Sequence, residues 1–178
     1  GMTLEEKVYG LMITSPEELT GVNKATRAGS GTQTSLEAKP VGGLVYYRKN
    51  MESKEQFTEM LTNTASYSKF PIFLAVNEGG DSASSVQNSP ITVPSVTKPG
   101  QIKTSEEAYT LGSTIGDYLA DFHFNVNFAP VADLRTDVDN KLLGDRSFGS
   151  DAGKVATHVG AMVKGLEEAG VSAGVKAF

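Results

Sequence analysis

Short apolar segments alternate with amphipathic segments along the whole chain, and this alternation restricts the possible folds more than any other feature. The clearest apolar segment is the continuous run at residues 72–76, which is typical of a strand covered on both faces in a parallel sheet. Four further strands are predicted, at residues 9–13, 42–47, 124–129 and 171–178. Strands separated by helices predict an α/β protein built from right-handed βαβ units.

Each predicted helix begins at a residue whose side chain can cap it. Thr3, Ser53 and Thr104 are each followed three residues later by Glu or Gln, which is the capping-box pattern, and Asp151 starts the last helix. Apolar residues then recur at helical spacing. Those expected to face the core are Phe57, Met60, Leu61 and Ala65, then Ala108, Leu111, Ile115, Leu119 and Phe122, then Val155, Val159, Met162, Val163 and Leu166. Gly170 is expected to end the last helix, whereas residues 14–35 predict no element.

The composition excludes several classes of function. The chain has 178 residues, 39% of them hydrophobic, which is enough for one domain with a real core. Its net charge is −5 and its basic residues form no stripe, so nucleic acid and anionic membrane surfaces are not expected as partners. Cysteine is absent and no apolar run approaches the roughly 18 residues of a membrane span. No cofactor or metal is expected.

Two smaller features complete the description of the sequence. His123 and His158 have no partners at ligand spacing, so they are interpreted as surface or helix-packing residues. Gly1 before Met2 is interpreted as a remnant of cloning, which leaves the compartment, cytoplasmic or secreted, open.

The segment 124–149 carries the densest set of candidate site residues. Pro130 ends the predicted strand because proline cannot donate to a sheet ladder. Asp133 follows it, and Asp145 and Arg146 lie further along between glycines. Charged side chains on loops at the C-terminal ends of strands are typical of ligand sites in α/β proteins.

A second long connection follows the strand at residues 72–76. Roughly 25 residues pass before the next helix without a predicted element, which indicates either a functional lid or a partly disordered segment.

Simpler interpretations exist for the same polar residues. Asp145 and Arg146 could pair with each other and hold their own loop, and the sequence Glu78-Gly79-Gly80 alone indicates a turn. Lys176 lies at a strand end, where a buried ammonium needs a partner. A site residue and an exposed residue are therefore both open for this lysine.

Six segments form a series that runs through nearly the whole chain. They are residues 2–8 (MTLEEKV), 42–45 (GGLV), 78–80 (EGG), 127–133 (NFAPVAD), 144–149 (GDRSFG) and 174–178 (GVKAF). In this order they resemble the N-terminal barrel of family 3 glycoside hydrolases, in particular the bacterial β-N-acetylglucosaminidase (β-hexosaminidase) branch. The resemblance implies that residues 1–178 form a single partial barrel domain, the first five βα units of a TIM (β/α)8-type barrel. It also implies retaining hydrolysis of O-glycosyl bonds.

The resemblance implies a sugar-binding role for five residues. Asp133, Arg146 and Lys176 would surround the sugar hydroxyls in the −1 subsite, because carboxylate, guanidinium and ammonium groups make strong charge-assisted hydrogen bonds. Asn77 and Glu78 would bind in the same subsite. Asn77 stands where the family usually has aspartate, so it would act as a weaker, neutral acceptor.

Two other positions depart from the family pattern. Asp81 stands where the family has arginine after Gly-Gly, and Ala177 stands where histidine follows the strand lysine. The first departure reverses a charge and the second removes a polar group. The sugar contacts at these two positions are therefore expected to differ from those of the family.

No catalytic residue is assigned. In the family, the acid/base histidine and the nucleophilic aspartate lie further along the chain, in segments that these 178 residues do not include. The chain is interpreted as a truncated glycoside hydrolase whose partner is an N-acetylglucosamine-containing or related β-linked glycan. The alternative is a non-catalytic carbohydrate-binding or structural module derived from the same fold. Because five strands cannot close a barrel, the open edges and inner face predict a homodimer or higher oligomer. A rearranged, doubly wound sheet is the other possibility.

Overall fold

The computed structural model describes residues 1–137 and 139–177. Its strands are β1 (Ile13–Thr14), β2 (Gly43–Val45), β3 (Phe73–Val76), β4 (Val126–Asn127) and β5 (Ser172–Ala173). Its α-helices are α1 (Leu4–Gly10), α2 (Pro16–Thr20), α3 (Ser30–Ala38), α4 (Lys54–Tyr67), α5 (Ser105–Asp121) and α6 (Ala152–Glu168). Short 3-10 turns cover Arg48–Asn50, Pro99–Gln101 and Gly144–Arg146.

All five strands are parallel and lie in the sheet in chain order. Right-handed connections between strands in this order place the crossing helices on the same face of the sheet. The sheet is therefore singly wound, as at the start of a barrel, and the doubly wound alternative is excluded.

The two faces of the sheet differ in what covers them. Leu44 and Leu74 pack with helix residues in the core and are 0% and 2% exposed. On the other face, Ile13 and Phe73 are 48% and 55% exposed. The prediction that the run at residues 72–76 is covered on both faces is therefore wrong at Phe73, although Ala75, on the same face, is fully buried.

The predicted capping residues begin their helices. The hydroxyl of Thr3 accepts from the N–H of Glu6 at 3.1 Å, and the Glu6 carboxylate accepts from the N–H of Thr3 at 2.9 Å. The side chains of Ser53, Thr104 and Asp151 likewise accept from the N–H three residues later. This prediction is confirmed because caps depend on neighbouring residues only.

Two predicted strands have different boundaries in the structure. Residues 9 and 10 still belong to α1, whose end is continued by a bond from the N–H of Met12 to the carbonyl of Tyr9 at 2.9 Å. The first strand therefore begins only at Ile13. The last strand ends at Ala173, and its predicted end, Phe178, lies outside the described residues.

One predicted core position on α4 is also wrong. Ala65 is exposed, and Thr64 is buried in its place at 1% exposure. The Thr64 hydroxyl donates to the carbonyl of Met60 at 2.7 Å, so the polar residue is satisfied within its own helix. Both residues fit the helical period after Leu61, and only packing distinguishes them.

Residues 14–35, for which the sequence predicts no element, contain α2 and most of α3. A buried polar network holds the loop between these helices. Glu17 accepts from the N–H of Ala25 at 2.7 Å and from Nδ2 of Asn50 at 2.7 Å, and the same Nδ2 donates to the carbonyl of Ala25 at 2.8 Å. Asn50 is distant in sequence, so local patterns could not reveal this network.

Helices α5 and α6 pack closely through glycines. A Cβ on Gly112 would lie 2.1 Å from the carbonyl oxygen of Met162, and a Cβ on Gly165 would lie 2.5 Å from that of Tyr109. Side chains at these two positions would push the helices apart. The close approach helps to cover the sheet beneath the loops that carry the candidate site.

Candidate functional site

The predicted site residues lie at one edge of the sheet, where the strands end. Asn77 directly follows β3, Arg146 ends a 3-10 turn after β4, and Lys176 lies shortly after β5. They line one pocket together with Glu78, Gly79, Asp81, Ala83, Ser84, Phe128, Ala129 and Val131. Four of the five predicted sugar-binding residues thus lie around the same pocket.

This pocket is small. Its volume is about 30 Å³, which is room for about one or two water molecules. Pockets that enclose an organic ligand measure about 300 to 1,000 Å³. A ligand larger than this would therefore lie over the mouth of the pocket and not inside it.

Lys176 is held through both its backbone and its side chain. Its N–H donates to the carbonyl of Pro130 at 3.1 Å, and its Nζ donates to Oδ1 of Asn77 at 2.7 Å. Burial lowers the pKa of the ammonium, the negative charge of Asp81 raises it, and the positive charge of Arg146 lowers it further. The sequence left open whether Lys176 is a site residue or an exposed one. In the structure it is half-buried, lines the pocket and has a hydrogen-bond partner.

Asp81 is a buried acid that lines the pocket. It is 8% exposed, and its Oδ1 accepts from the N–H of Ala83 at 2.7 Å. Burial raises the pKa of this carboxyl, and the charge of Asp145 raises it too, while the Ala83 N–H, Arg146 and Lys176 lower it. The departure from the family pattern thus places an acid next to two cations. Sequence reasoning noted the reversed charge but did not assign Asp81 to the site.

Glu78 lines the pocket but its carboxylate is directed into the protein. It is fully buried, and its Oε1 accepts from the N–H of Val86 at 2.9 Å. Its Oε2 accepts from the N–H of Gln87 at 3.0 Å and from the Tyr118 hydroxyl at 2.7 Å. Burial outweighs these donors and raises the pKa of Glu78 to about 7. Glu78 therefore fastens the loop between β3 and α5.

Tyr118 was missed by sequence reasoning, although a signal was present. It follows Leu111 and Ile115 at helical spacing on α5, and it is 6% exposed. A buried tyrosine needs a partner for its hydroxyl, so a tyrosine on an apolar helix face indicates a buried polar contact.

Asp145 ties its turn to both ends of the same loop. Its carboxylate accepts from the N–H of Ser82 at 3.1 Å and from the Ser82 hydroxyl at 2.8 Å, and it forms an ion pair with Lys98 at 2.9 Å. Burial would raise the pKa of Asp145, but the bonds from Lys98 and Ser82 leave it below its ordinary value. Lys98 lies in a stretch without periodicity, so nothing in the sequence pointed to it.

Asp133 is not among the residues that line the pocket. Its carbonyl accepts from the hydroxyl of Ser147 at 2.6 Å. Val131, two residues earlier, forms parallel bridges to both Ser147 and Lys176. The backbone around Asp133 is thus joined to residues that line the pocket. A contact between the Asp133 side chain and a sugar stays a prediction.

The two histidines lie away from this pocket. His158 is 5% exposed and its ring packs edge-on against Phe148, with 5.6 Å between ring centres, while His123 is exposed. Within residues 1–137 and 139–177, no cluster of three His, Asp or Glu side chains is arranged to hold a metal ion. Over the same residues, no helix combines the length and apolar character needed to cross a membrane.

Comparison with known families decides the assignment. The family model described as the glycosyl hydrolase family 3 N terminal domain matches residues 3–178. The chain belongs to this family. Beta-hexosaminidase LpqI of Mycobacterium tuberculosis is 33% identical over 109 residues, which are 61% of this chain and 28% of that protein. Beta-hexosaminidase A of Pseudoalteromonas piscicida is 30% identical over 152 residues, which are 78% of this chain and 25% of that protein.

Solved structures of the family share the fold. A family 3 β-N-acetylglucosaminidase from Paenibacillus matches with a TM-score of 0.84 and 27% identity, over 100% of this chain and 33% of that one. A family 3 glycosyl hydrolase from Mycobacterium smegmatis matches with a TM-score of 0.81 and 25% identity, over 100% of this chain and 51% of that one. The family and the barrel-type α/β fold predicted from the sequence motifs are confirmed. The chain described here spans about half or less of the length of each of these four proteins.

Proposed function

We propose that this chain is part of a glycoside hydrolase that acts on β-linked N-acetylglucosamine or a related sugar. The pocket described above would hold the sugar of the −1 subsite. The observation that carries the proposal is the meeting of Asn77, Arg146 and Lys176 at the ends of neighbouring strands. Relatives named beta-hexosaminidase and β-N-acetylglucosaminidase support the substrate class.

The chemistry of the pocket suits hydroxyl groups. Ammonium and guanidinium groups donate charge-assisted hydrogen bonds, and the bond to Asn77 fixes the direction of the Lys176 ammonium. The carboxyl of Asp81 offsets the charge of the two neighbouring cations, which makes their close approach less costly. In this proposal Asp133 contacts the sugar from the rim, and Glu78 acts through the loop that it fastens.

These residues bind and orient the sugar, and none of them is assigned to bond cleavage. Retaining hydrolysis requires one carboxylate to attack the anomeric carbon and a second group to protonate the leaving oxygen. The buried carboxylate of Glu78, with three donors on its oxygens, is unsuited to attack.

Titration with N-acetylglucosamine, followed by nuclear magnetic resonance, tests the proposal. We expect a dissociation constant of about 1 mM or weaker, since much of the ligand stays in contact with water. Lys176→Met should weaken binding by about tenfold, which corresponds to the loss of a charged hydrogen bond.

The control is Lys7→Met, which removes an exposed lysine from the helix that precedes β1. Its affinity should equal that of the unmodified protein. The proposed sugar site is refuted if N-acetylglucosamine does not bind even at concentrations well above millimolar. It is refuted equally if Lys176→Met binds the sugar as well as the control does.

A further inference from the structure

A second cavity lies between the loop that leads into α3 and the helix α4. One wall is formed by residues 24–32. The other is formed by residues in and just before α4, which are Glu52, Gln56, Glu59, Met60 and Asn63. The volume of the cavity is about 770 Å³, within the range of ligand sites. It shares no lining residue with the pocket at the strand ends, so the function proposed above does not use it.

The first turn of α3 contributes unused backbone donors to this cavity. Gly29 stands at the N-cap position and provides no side-chain bond. The N–H groups of Ser30, Gly31 and Thr32 have no acceptor in the described part of the chain. A Cβ on Gly29 or Gly31 would meet no atom within 4 Å, so the space beside these residues is open. N–H groups at the start of a helix, together with the positive end of its dipole, attract anions.

The side chain of Thr32 is a second and independent sign of a ligand. It is only 8% exposed, yet its hydroxyl makes no hydrogen bond with any of the residues that the structure describes. A buried hydroxyl without a partner is costly. The hydroxyl oxygen is not fully enclosed by protein, and the residue lines the cavity. The Thr32 hydroxyl is therefore open to a ligand in the cavity.

The charged side chains of the cavity leave one cation available. Arg27 is exposed, and its side chain has no hydrogen bond or ion pair within residues 1–137 and 139–177. Lys24, by contrast, lies 3.8 Å from Glu52. Glu59 is exposed on α4 and lines the opposite wall. Arg27 is thus the side chain suited to pair with an anion, and Glu59 is the one that opposes an anion.

Backbone acceptors beside the cavity are already occupied. The carbonyl of Thr26 accepts from Nε2 of Gln56, and the carbonyl of Ala28 accepts from Nδ2 of Asn63 at 3.3 Å. These two bonds also join the loop to α4. A site whose backbone is already ordered loses less entropy when a ligand binds.

We propose that this cavity binds a phosphate group, with the first turn of α3 and the guanidinium of Arg27 as its donors. Three N–H groups, the Thr32 hydroxyl and the guanidinium all donate, and a phosphate group has enough oxygens to accept from several of them at once. The cavity is larger than phosphate itself, so the ligand is either free phosphate or a small phosphate ester. The inference is independent of the sugar site proposed above.

Nuclear magnetic resonance of the isotope-labelled protein tests the site directly. Titration with sodium phosphate should shift the amide signals of residues 29–32 until they saturate, whereas sodium chloride at the same ionic strength should not. Glycerol 2-phosphate is titrated in parallel. Tighter binding of glycerol 2-phosphate would assign the site to phosphate esters, and equal or weaker binding would assign it to free phosphate.

Substitutions assign the binding to particular groups. Arg27→Gln should weaken phosphate binding about fivefold, the upper end for an exposed ion pair, and Glu59→Gln should strengthen it because an opposing charge is removed. Ser30→Pro deletes one backbone donor at the first helical position, where proline is tolerated. It should weaken binding by up to about tenfold relative to Ser30→Ala, which keeps the N–H. The control Arg48→Gln removes an exposed arginine outside the cavity and should change nothing.

Three results would overturn the inference. The first is that neither phosphate nor glycerol 2-phosphate shifts the signals more than chloride does. The second is that Arg27→Gln binds phosphate as tightly as Arg48→Gln, and the third is that Ser30→Pro and Ser30→Ala bind it equally. Because Arg27 is exposed, its variant tests the site even where Ser30→Pro does not fold.

Discussion

The pH dependence of stability should report the state of the buried Glu78. Its pKa is about 7 in the folded protein, against 4.5 for an exposed glutamate, and a difference of this size corresponds to about 3 kcal/mol. Because the folded state has the higher pKa, the stabilisation is complete below pH 4.5 and is lost as the pH rises through about 7. Between pH 5 and 8 we expect this group alone to lower the free energy of unfolding by about 2 to 3 kcal/mol.

The variant Glu78→Gln isolates this contribution. Glutamine does not titrate, and its amide nitrogen cannot accept from the donors that now bind the carboxylate. One of the groups on Val86, Gln87 or Tyr118 would lose its acceptor, which costs about 1 to 3 kcal/mol. The variant should therefore be less stable than the unmodified protein at pH 5, and the difference should shrink toward pH 8.

Urea unfolding at pH 5, 6, 7 and 8 measures the two stability profiles. The rest of the chain is the same in both proteins, so the difference between the two profiles isolates residue 78. Amide hydrogen exchange at Val86 and Gln87, compared at one pH, should be faster in the variant because the loop is released. Parallel pH profiles for the two proteins would refute the assignment of a raised pKa to Glu78.

Two further predictions concern packing and assembly. Gly165→Ala should lower the free energy of unfolding by about 1 to 3 kcal/mol, because a Cβ there meets backbone of α5. Gly160→Ala, in the same helix with no atom within 4 Å, should raise it by up to about 1 kcal/mol, and equal effects would contradict the close packing. The exposed face around Ile13 and Phe73 should cause self-association that Phe73→Glu disrupts. Light scattering from a stable monomer at micromolar concentration would argue against this association.

Features that depend on neighbouring residues could be predicted from the sequence. The caps at Thr3, Ser53 and Thr104 each involve side chains three residues apart, so their chemistry is visible in the chain itself. The strand at residues 72–76 was equally visible because apolar runs of this length are typical of buried strands. Where two residues satisfied the same period, as Thr64 and Ala65 do, the sequence could not choose between them.

The sequence by itself determined the starts of α1, α4, α5 and α6, the presence of five strands and the family, since each depends on short segments of the chain. Only the tertiary structure decided which polar residues meet. Lys176 and Asn77 are 99 residues apart, yet they share a hydrogen bond, because parallel strands deliver their C-terminal ends to one edge of the sheet. Only packing decided that the carboxylate of Glu78 would be buried while the neighbouring Asn77 binds Lys176. Side chains of adjacent residues in extended backbone point in opposite directions. The elements that pack on each side determine which of the two side chains reaches the pocket.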